Sequence, residues 1–291
     1  MELSRNYTGM RFYHWKNVNG VKNFGDELNV ILWNAYLHKF LNAKSKTLLL
    51  GIGTILNNRM PRGTKTAVFG SGVGYGKAPK LDDTYKIYCV RGPLSAQALG
   101  LAHSYAVTDP ALLIRDVVDV SQRTKIYQFA YMPHWRTATK ALNILCDDLG
   151  IKYIDPTSDK PEAVCREIAQ TEVLLTEAMH GAIMADAYRV SWVPMKANAD
   201  VKQFKWEDWC NTVHVKYEPH EILPIWDISE RSVIRSLKQG IKKHLVSQTI
   251  KKVRATAKPI LSREDIQERL AQQLKDRLQL LIEDLESGFF D

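Results

Sequence analysis

The strongest constraint on the fold is an alternation that recurs along most of the chain: a short apolar run, a glycine-bearing loop, then a stretch with helical spacing. Residues 47–52, 66–69 and 86–90 are short and rich in β-forming side chains. They end in the loops GIG, GSGVGYG and RGP. Runs of this length punctuated by glycine read as buried parallel strands whose exit loops share one sheet edge. Open α/β sheets bind ligands along that carboxyl edge. Between the runs, Leu28, Ile31, Leu32 and Ala35 recur with helical spacing after the turn Asn23-Phe24-Gly25-Asp26-Glu27, whose acidic pair suits a helix N-terminus. Pro93 fits the first turn of a helix to about Leu99. Thr108 or Asp109 caps the start of another.

The polar stretch Ser121-Gln122-Arg123-Thr124 interrupts this unit, and the pattern then restarts. Residues 125–132 read as a strand with the exit loop Pro133-His134-Trp135-Arg136. Residues 137–149 and 161–170 read as helices, with a short strand at 152–155 between them. Residues 173–176 read as a strand with the exit loop 177–181, and 182–188 as a short helix. A strand over 190–194 closes the unit. The chain is long enough for two such units. The expected architecture is α/β, two Rossmann-like domains (1–122 and 123–225) facing a cleft, followed by a helical tail at 226–291.

The tail holds the charge. The chain carries a formal +8, and residues 231–258 contain nine Lys/Arg and no Asp or Glu. The body is therefore close to neutral, which argues against a nucleic-acid binder. Ile234, Leu237, Ile241 and Leu245 form an apolar stripe among the basic residues, a pattern suited to an anionic membrane face or to a solvated basic helix. Pro259 breaks this helix, and Ser262 is placed to cap a last one, with Asp265 at its third position. Ile266, Leu270, Leu274, Leu278, Leu281 and Leu285 line one face of that last helix, which packs on the body or forms a homodimer with a second copy. No apolar run approaches the roughly 20 residues of a membrane span, and the N-terminus lacks a signal-peptide core. The expected location is cytoplasmic, including the inner face of the plasma membrane. The cysteines Cys89, Cys146, Cys165 and Cys210 are isolated and do not suggest a metal site.

Chemistry concentrates at the strand exits. Glu177-Ala178-Met179-His180-Gly181 delivers a histidine, beside a glycine, to a helix start. Backbone N–H groups there bind anions, Gly181 allows close approach, and His180 can move a proton near neutral pH. Glu177 is a candidate to orient the imidazole. His134 and Arg136 occupy the equivalent exit of the preceding strand, where Arg136 can hold a carboxylate or phosphate. Arg91 at the start of its helix makes an anion site or pairs with a carboxylate such as Asp109. The glycine-rich loop 70–76 lacks both the P-loop ending and the G-x-G-x-x-G spacing.

In order, NFGDELN, GIGTIL, VFGSGVGYG, VRGPLSAQALG, VTDPALLI and TEAMHGAIMADA resemble the polysaccharide pyruvyltransferase family. The last stretch is most similar to the branch acting on bacterial exopolysaccharides such as succinoglycan. The resemblance implies a GT-B-like pair of domains, with the acceptor on the first and phosphoenolpyruvate on the second. The acceptor is a sugar of a cell-surface glycan precursor, carried on a lipid, and the product a pyruvate ketal. It makes His180 the general acid, with Asp26 and Glu177 as candidate bases. Arg136, His134, Arg91, Met179 and Gly181 fall to phosphoenolpyruvate, and Asn23, Gly72 and Gly74 to the acceptor. The implied scheme uses no metal or other cofactor. Many members carry an arginine two residues before the histidine. Here that position is Ala178, so Arg136, Arg91 or His134 has to supply the missing charge. The competing readings are a nucleotide-sugar glycosyltransferase on the same scaffold and a non-catalytic, membrane-docked subunit of glycan assembly.

Overall fold

A computed structural model describes residues 9–14, 19–61, 63, 65–120, 124–197, 202–227 and 233–291, without the side chains of 233–239. The break at 121–123, where the boundary between the units was expected, lies outside the described residues, as do Arg231 and the side chains of Ile234 and Leu237.

The fold is α/β, built on two parallel sheets. The first unit runs β1 (Arg11–Tyr13), α1 (Phe24–Leu37), β2 (Leu48–Leu50), β3 (Thr66–Phe69), β4 (Tyr85–Cys89) and α2 (Pro93–Ala98). Its strands lie in the order β1-β2-β3-β4. A 3-10 helix, Pro110–Asp116, ends the unit, at the place where the sequence reads as a helix start. Asp109, not Thr108, is its cap, accepting from the Ala111 N–H at 3.1 Å. The second unit runs β5 (Tyr127–Met132), α3 (Lys140–Asp148), β6 (Lys152–Tyr153), α4 (Pro161–Ala169), β7 (Thr171–Thr176), α5 (Met179–Ala187), β8 (Ser191–Lys196), α6 (Gln203–Thr212) and β9 (His220–Glu221). Its strands lie in the order β6-β5-β7-β8-β9. All pairings between these strands are parallel.

Three elements depart from the sequence expectation. β1 was not anticipated. α5 begins at Met179, so His180 sits in the first turn of the helix instead of the loop before it. The second unit does not close at residue 194: α6 and β9 follow. α6 carries Trp206, Trp209 and Cys210 buried on one face, and Trp192 of β8 packs against both tryptophans.

The tail forms α7 (Val233–Thr256) and α8 (Glu264–Ser287). Val246, Ile250 and Val253 of α7 pack into a core with Tyr131, Leu175, Val193 and Met195 of the second sheet. α8 buries Ile266, Leu270, Leu274, Leu278, Leu281 and Leu285 against a core shared with α1, Phe69 and the 3-10 helix. That leucine face is thus closed within the chain and is not available to a second copy. Ser262 does not cap α8. Its backbone N–H and hydroxyl bond the buried carboxylate of Asp186, which also accepts from Trp192 Nε1, and Arg263 takes the cap position. A buried carboxylate needs this many donors, which diverts Ser262 from the helix end. Among the described residues no helix is long and apolar enough to cross a membrane.

Candidate functional site

The carboxyl ends of both sheets line one cleft of about 590 Å³. From the first unit come Tyr13 at the end of β1, Asn23, Phe24, Gly25 and Asp26 at the start of α1, Gly53, Thr54, Ile55, Asn57 and Arg59 after β2, and Tyr75 after β3. From the second come His134, Trp135 and Arg136 after β5, Ala178, Met179 and His180 at the start of α5, and Lys202 and Lys205 at α6. The N-termini of α1, α5 and α6 therefore open on the same space, the end of a helix that favours anions.

The local sequence explains how these ends are held. Asn29 of α1 accepts from the Ile52 N–H and donates to the Ile52 carbonyl, both at 2.9 Å, and its carbonyl oxygen also accepts from Trp33 Nε1. One side chain thus ties α1 to the loop after β2. Gly25 is required by proximity: a Cβ there would lie on the His180 ring. Phe24 N–H donates to the Pro156 carbonyl at 2.8 Å, joining α1 to the second unit.

Among the described residues the electrostatics are one-sided: Arg59, Arg136, Lys202 and Lys205 line the cleft against one carboxylate, Asp26. Burial raises Asp26 from 3.8 to about 6, while the Asn23 hydrogen bond at 2.5 Å and the charges of His180 and Lys205 hold it lower. Burial lowers Lys205 to about 8; Arg91 and Arg136 push the same way and Asp26 opposes them. His134 is pushed down to about 3 by burial and by Lys205 and Arg136, so it is neutral at pH 7. Its Nδ1 accepts from the Arg136 N–H at 3.4 Å, which leaves Nε2–H as a neutral donor. Such a cleft suits a small polyanion, and Asp26 sits near neutrality, where it can exchange a proton.

Of the residues singled out in the sequence, the structure brings Asn23, Asp26, His134, Arg136, Met179 and His180 to the cleft. It does not bring Arg91, Gly72, Gly74, Glu177 or Gly181 there. Arg91 is fully buried. Its Nε donates to Asp208 at 3.1 Å, not to Asp109, and its Nη atoms donate to Thr54 and the Val73 carbonyl. A guanidinium paired in this way is structural. Gly72 is glycine because a Cβ would run into that guanidinium, and Gly74 lies against Thr54. Gly181 lets α5 close on Met132 and Thr176. Glu177 faces away from His180: its oxygens accept from Tyr131 and Thr137, each at 2.6 Å, and so latch the loop 133–137.

The carboxylate that does face His180 is Asp109, with Oδ2 3.5 Å from Nε2. Sequence reasoning treated Asp109 as a cap or a partner for Arg91. Lys205, Lys202 and Arg59 were missed altogether. For Lys205 a signal existed: Trp206, Trp209 and Cys210 recur with helical spacing and mark a buried face beside it. Arg59 lies in an irregular loop with no comparable pattern.

Comparison with known proteins gives two matches. The family described as polysaccharide pyruvyl transferase matches residues 23–197. The succinoglycan biosynthesis protein ExoV of Rhizobium meliloti (strain 1021) is 40% identical over 217 residues, covering 73% of this chain and 68% of that protein. The family match spans α1 to the end of β8, and so includes Asp26, Asp109, His134, Arg136 and His180; Lys202 and Lys205 lie just beyond it.

Proposed function

The chain belongs to the polysaccharide pyruvyl transferase family, and from that premise we propose that its cleft moves pyruvate from phosphoenolpyruvate, as a ketal, onto two hydroxyls of one sugar in an exopolysaccharide precursor. The observation that carries the reading is the pairing of a cation-rich wall with two proton-exchanging groups, His180 and Asp26, in one cleft. Phosphoenolpyruvate carries a carboxylate and a phosphate. Arg136, Lys205, Lys202 and Arg59 supply the opposing charge, the α5 N-terminus adds N–H donors beside Met179, and neutral His134 adds one more. These groups take the place of the arginine that Ala178 lacks.

Protonated His180 gives its proton to the methylene carbon of the enol, and positive charge develops at the central carbon. The first sugar hydroxyl bonds to that carbon and releases its proton to Asp26. The carbon–oxygen bond to phosphate then breaks, phosphate leaving with the electron pair. The second hydroxyl closes the ring, and its proton leaves with phosphate. The products are the ketal, whose methyl group holds the transferred proton, and inorganic phosphate. This scheme requires no resident metal or nucleotide.

The two units act as GT-B-like domains, 1–122 holding the acceptor near Asn23 and 123–225 holding phosphoenolpyruvate, with 226–291 as the tail. The meeting of two parallel-sheet carboxyl edges at one cleft supports this arrangement. The acceptor is lipid-linked and is met at the cytoplasmic membrane surface. In α7, Ile241 and Leu245 lie on adjacent turns, 55% and 47% exposed, beside Lys242 and Lys243, which suits an anionic lipid face.

The test is His180→Ala, assayed with phosphoenolpyruvate and lipid-linked glycan from the native host, the product read by mass spectrometry. Transfer should fall about 100-fold or more with folding intact. Near-normal transfer would overturn the role of His180. Stabilisation by a nucleotide sugar but not by phosphoenolpyruvate would instead favour a glycosyltransferase.

A further inference from the structure

Asp109 and His180 face each other from different units of the chain. Asp109 precedes the 3-10 helix and is completely buried. Its Oδ1 caps that helix through the Ala111 N–H, while among the described residues its Oδ2 has no hydrogen-bond donor and points at His180 Nε2, 3.5 Å away. That nitrogen is itself buried and has no other partner among the described residues. Two such polar atoms, aimed at each other inside the protein, form a pair that tightens when charge develops on the ring. Catalytic hydrogen bonds are commonly long before substrate binds. On the other edge of the ring lies Gly25, where any Cβ would cover Nδ1.

We infer that Asp109 is a positioning residue that holds His180 with its proton on Nε2, and that Gly25 leaves Nδ1 as the nitrogen that exchanges a proton with the bound substrate. This rests on the pyruvyl-transfer reading for its chemistry, but not for its geometry. In the loaded site Nδ1–H is the proton donated to the enol carbon. The ring is left neutral, with Nε2–H still directed at Asp109. The carboxylate stabilises the charged ring before transfer and keeps the neutral ring in the orientation that accepts the next proton on Nδ1. This is the role a buried carboxylate plays behind a catalytic imidazole in general.

Other ionisable groups near the ring are placed differently. Asp26 of α1 interacts with His180 through space but is hydrogen-bonded to Asn23. Lys205 of α6, with His134 and Arg136 of the loop after β5, forms the cationic wall. Of the elements packed on α5, β7 ends at Glu177, held by Tyr131 and Thr137. Glu162 and Arg166 of α4 flank Cys165, and Lys196 of β8 pairs with Glu221. Asp186 of α5 itself is taken by Ser262 and Trp192.

The experiment has two arms. In the first, 15N NMR of the histidine rings in the whole unliganded chain, with His180 assigned through His180→Gln, should show neutral His180 protonated on Nε2. Protonation on Nδ1 would overturn the inference, whatever the enzyme's substrate proves to be. In the second, Asp109→Asn keeps a cap oxygen for the Ala111 N–H but removes the charge. The variant should stay folded, lose the Nε2–H preference, and show kcat/KM about 10-fold or more lower at neutral pH. A folded variant with an unchanged tautomer and unchanged kcat/KM would overturn the inference. Failure of phosphoenolpyruvate turnover in the unmodified enzyme would sink the functional reading while leaving the NMR result to decide the pair.

Discussion

Replacing Asp26 by Asn should make the protein more stable and less active. Asp26 is 8% exposed at the third position of α1, and burial lifts its carboxyl from 3.8 to about 6. Its folded value lies above its unfolded one, so the folded protein binds this proton more tightly. The cost of carrying the carboxylate is nearly absent below about pH 3.8, grows between 3.8 and 6, and is complete above about 6. A shift of this size corresponds to about 3 kcal/mol. Losing a negative charge from a helix first turn offsets roughly 0.5 kcal/mol of that. The Asn23 hydrogen bond can survive, since an amide oxygen still accepts. The expected gain is about 2 kcal/mol at pH 8, or roughly 4 °C in Tm, shrinking as pH falls through 6 towards 3.8. Thermal unfolding of both proteins across that window measures it directly. A variant no more stable than the parent at pH 8, or one whose advantage does not change with pH, would refute the reasoning. Pyruvyl transfer by the same variant should drop about 100-fold if Asp26 takes the acceptor's proton. Stability gained together with activity lost is the expected mark of a group kept for function.

Lys205 leads to a second pH effect of opposite kind. It loses its charge as pH rises through about 8, so kcat/KM for phosphoenolpyruvate should fall above that pH. Lys205→Arg should flatten this limb and Lys205→Met should raise KM across the range; a limb unchanged in both variants would remove Lys205 from the donor site. On the tail, Ile241→Asp combined with Leu245→Asp should weaken binding of the whole chain to phosphatidylglycerol-containing vesicles without lowering Tm, because both side chains are already about half exposed. Unchanged sedimentation with vesicles would reject membrane docking through α7.

The α/β class and the parallel strands ending in loops that line one cleft were readable from the chain because they depend on local pattern: short apolar runs, glycine at the exits and helical spacing between them. The position of His180, and of the loop carrying His134 and Arg136, at strand exits was readable for the same reason, since neighbouring glycine and proline announce them. What depends on which distant groups meet was not readable. Arg91 has the same local sequence whether it faces a ligand or Asp208, and only the docking of α6 decides for Asp208. Glu177 is three residues from His180, yet the strand end turns its carboxylate toward Tyr131 and Thr137. Asp109, 71 positions before His180 in the chain, is carried to the ring because the 3-10 helix packs on α5. Periodicity along a chain records which face of an element is buried; the partner on the other side of that face, and the proton affinity it sets, is a property of the packed molecule.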